Sequence, residues 1–152
     1  MISLKTVANY FIWLGMQDKA RKVSNKKLQK LVYYAQAWSL ALFSKPLFSE
    51  EIEAWIHGPA IPFLYGKFKE FGFNSIEIKN LKIDTKKLPQ KKLLDEVWRV
   101  YGKYDADYLE LLTHREDPWI KARNRIEMNQ APNILLKDME VFYKKLLSDK
   151  KS

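Results

Sequence analysis

The sequence predicts a mainly α fold: a compact single domain of about six to seven helices with a small two-stranded β element. Apolar residues recur at three-and-four spacing through most of the chain, and helix start and stop signals punctuate it at short intervals. Alternation of apolar and polar residues is confined to two short stretches, around residues 52–57 and 76–81. With 152 residues, 47% hydrophobic and 14% aromatic, the chain has the size of one ordinary domain and the material for a core.

The first helix starts with Ser3 as N-cap and runs to Gly15, with Val7, Phe11 and Leu14 on one face. Ser24 caps the second, where Val23 and Leu28 occupy the two positions of a hydrophobic staple. Leu28, Leu31, Val32, Ala35, Trp38, Ser39 and Leu42 follow at helical spacing until Pro46 ends the run. From Val32 to Phe43 only Gln36 and Ser39 interrupt the apolar residues. This helix is expected to bury nearly its whole circumference and to lie at the centre, being too short to span a bilayer.

Ile52, Ala54 and Ile56 alternate with Glu53, Trp55 and His57 as a short strand that Gly58-Pro59 stops. Pro62 opens a helix through Phe71, which Gly72 terminates. Ile76, Ile78 and Leu81 alternate as a second strand, expected to pair with the first and to pack on the helices. Past Pro89, Leu93, Leu94, Val97, Trp98 and Tyr101 share a helix face that Gly102 ends. Asp105 caps a helix carrying Tyr108, Leu109, Leu111 and Leu112, and Asp117-Pro118-Trp119 reads as cap plus proline at the start of the next. Asn133 opens the last, with Leu135, Met139, Phe142 and Leu146. The domain is expected over residues 1–147, with 148–152 a frayed basic tail.

The absence of cysteine excludes a disulfide scaffold, thiolate chemistry and a Cys-based zinc site. Residues 1–15 lack a basic start and a cleavage site, so a cytoplasmic location is expected, with no membrane partner. The formal charge of +9 suits an acidic protein or nucleic acid. The basic residues are spread out, however, in loose clusters around Lys19–Lys30, Lys79–Lys92 and the C-terminus. Lysine far outnumbers arginine, the usual reader of bases and phosphates.

His57 and His114 are the sole side chains suited to proton transfer near neutral pH. Neither stands at a metal-ligand spacing, so each is expected to hold a turn or a helix end. The five glycines are isolated, which excludes a phosphate loop. Strand alternation puts Glu51 and Glu53 on a solvated face instead of in a carboxylate pair. No cofactor or metal is expected. Trp55, on that same polar face, is the foremost candidate for an exposed anchor among aromatics that otherwise suit a core.

Read together, the runs Leu28-Gln29-Lys30-Leu31-Val32-Tyr33-Tyr34-Ala35-Gln36, Pro46-Leu47-Phe48, Ile52-Glu53-Ala54-Trp55-Ile56-His57-Gly58-Pro59, Leu64-Tyr65 and Leu112-Thr113-His114-Arg115-Glu116-Asp117-Pro118-Trp119 resemble the SocA-like, or Panacea, antitoxin domain family, a phage-associated family. The resemblance extends from about Val7 to Tyr143. It implies a bacterial or prophage antitoxin that neutralises a cognate toxin protein, typically the product of the adjacent gene, and it brings no catalytic residue. A member resembling it delivers its toxin to the ClpXP protease, so a protease of that type is a further implied partner.

Lys30, Tyr34, Trp55, His57, Tyr65, His114 and Trp119 are the matching positions that become candidate partner contacts, with Gly58 and Pro59 as a structural turn. Many members carry an appended DNA-binding domain, for which this length leaves no room. Ala60 stands where valine is more usual after Gly-Pro. A nucleic-acid-binding accessory protein of a mobile element is the alternative, motivated by charge; an enzyme using His57 or His114 is a third.

Overall fold

The apolar run that begins at Leu28 is the reason α2 (Asn25–Phe43) lies in the middle of the molecule. In the computed structural model, which describes residues 1–151, Leu28, Leu31, Val32, Tyr33, Tyr34, Ala35 and Ala37 are all fully enclosed. Burial of each large side chain of this kind contributes about 1.5–3 kcal/mol, so the helix is the chief organiser of the core. Ser24 accepts a hydrogen bond from Lys27 N, as its capping position predicts. The helix ends at Phe43, where Ser44 takes a left-handed conformation two residues ahead of Pro46.

Around this axis pack α1 (Leu4–Gln17), α4 (Lys91–Tyr101), α5 (Ala106–His114) and α7 (Leu136–Lys151). Short α3 (Pro62–Lys67) lies against α2, and α6 (Asp117–Glu127) joins α7 to the hairpin. Seven α-helices and a two-stranded sheet make up the described residues, alongside single 3-10 turns. The mainly α class with a small β element is therefore what the chain forms. α7 keeps helical backbone to Lys151, past Leu147; Ser152, the last residue of the expected frayed tail, lies outside the described residues. None of the described helices is long and apolar enough to cross a membrane.

The polar groups α2 carries into the interior are met there. Tyr34 donates to Glu116 Oε1 (2.7 Å), Tyr143 donates to the same oxygen (3.0 Å), and Tyr33 and Tyr143 share a hydrogen bond of 3.1 Å. Tyr34 stacks on Tyr101 at 3.9 Å, and Trp38 donates to the Tyr101 hydroxyl. Burial raises the Glu116 carboxyl above its ordinary range, although both tyrosine hydroxyls oppose that shift. Gln36 closes the other side, accepting from Leu47 N and Phe48 N while donating to Phe48 O. These bonds explain how a helix carrying two tyrosines is buried around most of its circumference as far as Ala41, whereas Leu42 and Phe43, expected inside, are exposed.

The β element differs from expectation. β1 (Glu53–Trp55) pairs antiparallel with β2 (Gly58–Ala60), Ala54 facing Pro59 and Trp55 facing Gly58. Gly58-Pro59 thus begins the return strand instead of stopping the first. Ile56 belongs to the turn and is exposed, where alternation put it inward. Proline is tolerated because Ala54 sends both backbone groups away from β2: its N–H to Pro132 O and its carbonyl to Arg123. The segment around Ile76 pairs elsewhere, Ile76 N donating to Val23 O beside the isolated Ser24–Ser75 bridge. A two-residue turn closes a far shorter loop than the expected pairing would, at a lower entropic cost.

Two helix starts also shift. Glu116, not Asp117, is the N-cap of α6, and its side chain serves the tyrosines instead of the cap. Asn133 does not open α7: it bridges to Glu53 and donates to Glu51 Oε2, so residues 132–134 flank β1 on its free edge.

Candidate partner-binding site around the hairpin

Ile56 and His57 turn the chain without positive φ, and the glycine that follows, Gly58, supplies the positive φ (+101°) that brings the return strand into pairing. Space makes the same demand. A Cβ at Gly58 would lie 2.6 Å from Lys30 Cε and 3.1 Å from Thr113 Oγ1. Lys30 lies directly beneath the hairpin, 2% exposed, and donates from Nζ to Pro59 O at 3.0 Å. Burial pushes its ammonium down to about 7.

The opposite side of the hairpin is clamped by the start of α6. Trp119 donates through its indole to Trp55 O (2.8 Å), and Arg123 donates to Ala54 O (2.8 Å). His114 stacks on Trp119 at 4.0 Å and meets the backbone of Ile56. Its pKa is lowered by burial, and its Nε2 has no partner, so the ring acts as a spacer under the turn. From α2, Gln29 accepts from Ile61 N while donating to Asn25, and Asn25 donates to Tyr65 O. One turn of α2 thereby holds both β2 and α3 by their backbones.

These anchors display a surface. His57 stands exposed at the tip, its ring 3.4 Å from Glu110, which also holds Lys26. Trp55 is half-buried, edge-on to Tyr65 at 5.1 Å, with its indole donating to Glu53. Between hairpin, α2 and α3 opens a cleft of about 340 Å³, walled by Trp55, Tyr65 and Phe73 and lined by Lys26, Lys30 and Lys69. Phe73 is 91% exposed and therefore stands out from the fold as a free apolar rim.

The candidate residues separate along this geometry. Trp55, His57 and Tyr65 meet at the cleft, whereas His114 and Trp119 brace the hairpin from behind. Tyr34 is fully buried on Glu116 and faces no surface; Lys30 is equally enclosed but forms part of the cleft lining. Sequence reasoning overlooked Asn25, Gln29, Arg123 and Phe73. Gln29 carried a signal, a polar side chain one turn before Val32 and Tyr33 on a buried helix; Phe73 carried none. Among the described residues no group of three or more His, Asp and Glu side chains is placed to hold a metal ion.

A family model described as the antitoxin SocA-like, Panacea domain matches residues 28–120. The matched segment contains Lys30, Trp55, Gly58, Pro59, Tyr65, His114 and Trp119, the parts that build and brace the hairpin, while α1 and α7 fall outside it. No curated protein and no solved structure matches the chain.

Proposed function

The chain belongs to the SocA-like antitoxin family of Panacea domains, and on that premise we propose that it neutralises a cognate toxin by direct protein–protein binding, without chemistry of its own. The observation that supports this reading most is where the family-matched residues converge. Their hydrogen bonds end on the backbone of a displayed hairpin, at Pro59 O and Trp55 O, and so present a surface. His57 and His114 are each engaged by a neighbour, one at Glu110 and the other on Trp119.

A stable inhibitory complex buries about 1,200–2,000 Å² in total, with a few aromatic anchors dominating. Trp55, Tyr65 and Phe73 are the anchors this surface offers. The net charge of +9 favours an acidic face on the toxin and an association rate that falls as salt is added. Nucleic acid is the weaker partner. A second cleft, of about 550 Å³, is lined by Lys22, Lys26, Lys27 and Lys103, but Lys26 and Lys27 are committed to Asp107 and Gly102 O, and Asp105 and Asp107 line it too.

Induced expression of the neighbouring gene, with and without this chain, tests the reading in a growth assay followed by co-purification. Arrest relieved by the chain, with a stoichiometric complex recovered, is the expected result. Relief without a complex favours delivery of the toxin to a ClpXP-type protease. Absence of rescue contradicts the antitoxin role and leaves the family membership as a statement of fold.

A further inference from the structure

The cleft beside the hairpin combines a buried cation with apolar walls. Lys30 reaches it from below, fully enclosed, with Nζ bonded to Pro59 O and to no other group. An ammonium carries three N–H donors, and donors left unmet in a buried place make a strong site for an acceptor. No Asp or Glu is among the residues lining this cleft, although Glu110 engages Lys26 at its edge. Lys69 adds an exposed positive charge at the rim, and Trp55, Tyr65 and Phe73 supply apolar contact around it.

We propose that this cleft binds an acidic segment of a protein partner, one Asp or Glu carboxylate reaching Lys30 while neighbouring apolar side chains pack on Trp55, Tyr65 and Phe73. The inference rests on the protein-binding reading above and names the chemistry it recognises. Access favours a peptide carboxylate over a phosphodiester. Lys30 lines the cleft while only 2% exposed, its Cε packed against Gly58, so a slender group such as a side-chain carboxylate suits the approach. A backbone phosphate carries a sugar on each side and does not fit that approach. A carboxylate there also supplies the charge that burial otherwise makes costly on Lys30.

The test uses the full chain and two peptides, acetyl-Phe-Glu-Leu-amide and acetyl-Phe-Gln-Leu-amide, titrated while following the indole N–H resonance of Trp55. The glutamate peptide is expected to shift it saturably and to bind roughly tenfold more tightly than the glutamine peptide, the worth of one charge-assisted hydrogen bond. Lys30→Met should abolish that preference. Phe73→Ser, on a side chain too exposed to matter for folding, should weaken the glutamate peptide severalfold whatever the fate of the first variant. Equal binding of the two peptides overturns the proposal, as does a shift produced by inorganic phosphate but not by either peptide. The titration needs no toxin. A chain that discriminates the peptides yet fails to rescue growth retracts the antitoxin reading alone, and rescue without discrimination retracts the cleft alone.

Discussion

From the middle of α2 toward its C-terminus, Tyr33, Tyr34 and Trp38 turn their polar atoms onto Tyr143, Glu116 and Tyr101, and each finds a partner inside the domain. Along the N-terminal half, Asn25, Gln29 and Lys30 turn theirs onto the backbone of α3 and the hairpin, beside a cleft that opens to solvent. Both halves bury polar groups, and both come from one continuous helix. The first closes a network on itself and so specifies the core; the second holds a backbone in place and leaves an ammonium at the edge of a surface. The lesson is that burial alone does not mark a residue as structural. What its donors end on does.

The closed half should break hardest. Glu116→Ala leaves the hydroxyls of Tyr34 and Tyr143 without their acceptor and is expected to cost about 3–5 kcal/mol in denaturant unfolding. Glu116→Gln, which keeps an acceptor oxygen, should cost well under half of that. Equal losses for the two would show that charge, not acceptance, is what the tyrosines need.

Gly58→Ala comes next. It forces a side chain onto a backbone at φ +101° and against Lys30, and should lower stability by about 1–3 kcal/mol. A change near zero would mean that the hairpin relaxes freely and is not clamped from below.

Lys30 gives a pH-dependent signature that separates the halves. Its proton is held less tightly in the folded protein, at about 7, than in the unfolded chain, where lysine titrates near 10.5. Between those values the unfolded chain binds more protons, so stability should rise as pH increases from 7 to 9.5. Lys27, lowered by burial to about 8, adds to the same rise. Lys30→Met should flatten the curve measured by urea unfolding at successive pH values, and an unchanged slope would remove Lys30 as its source.

The smallest effects on stability belong to the displayed surface. Phe73→Ser and His57→Asn should each move unfolding by no more than about 0.5 kcal/mol, since both side chains stand in solvent. The first should nonetheless weaken the proposed toxin complex, and a binding measurement that leaves it unaffected would shift the interface elsewhere.

How far the sequence alone reached follows the same division. The caps at Ser3, Ser24 and Asp105 were readable because each acts on a residue three positions away, and the structure places all three. The burial of α2 was readable from its composition. The hairpin was not: alternation continued through Ile56, and a glycine-proline pair reads as an end when it is a return. Ala54 tolerates Pro59 opposite it because residue 132 and Arg123 take its backbone groups, partners about 70 or more positions away. At α6 the expected cap, Asp117, already lies inside the helix, and the Glu116 before it turns its carboxylate to Tyr34 and Tyr143, partners 82 and 27 positions away. At the site, Lys30, Trp55, His57 and Tyr65 could be named in advance, but their division into floor, wall and tip depends on contacts between distant segments.

The central claim is that the hairpin and its cleft, not the tyrosine side of the domain, meet the toxin. Amide hydrogen exchange of the chain, with and without the neighbouring gene's product, tests it most directly. Added protection across residues 53–73, with α4 and α7 unchanged, is the predicted result. Protection confined to α4 and α7, with the hairpin still exchanging as in the free protein, would contradict it.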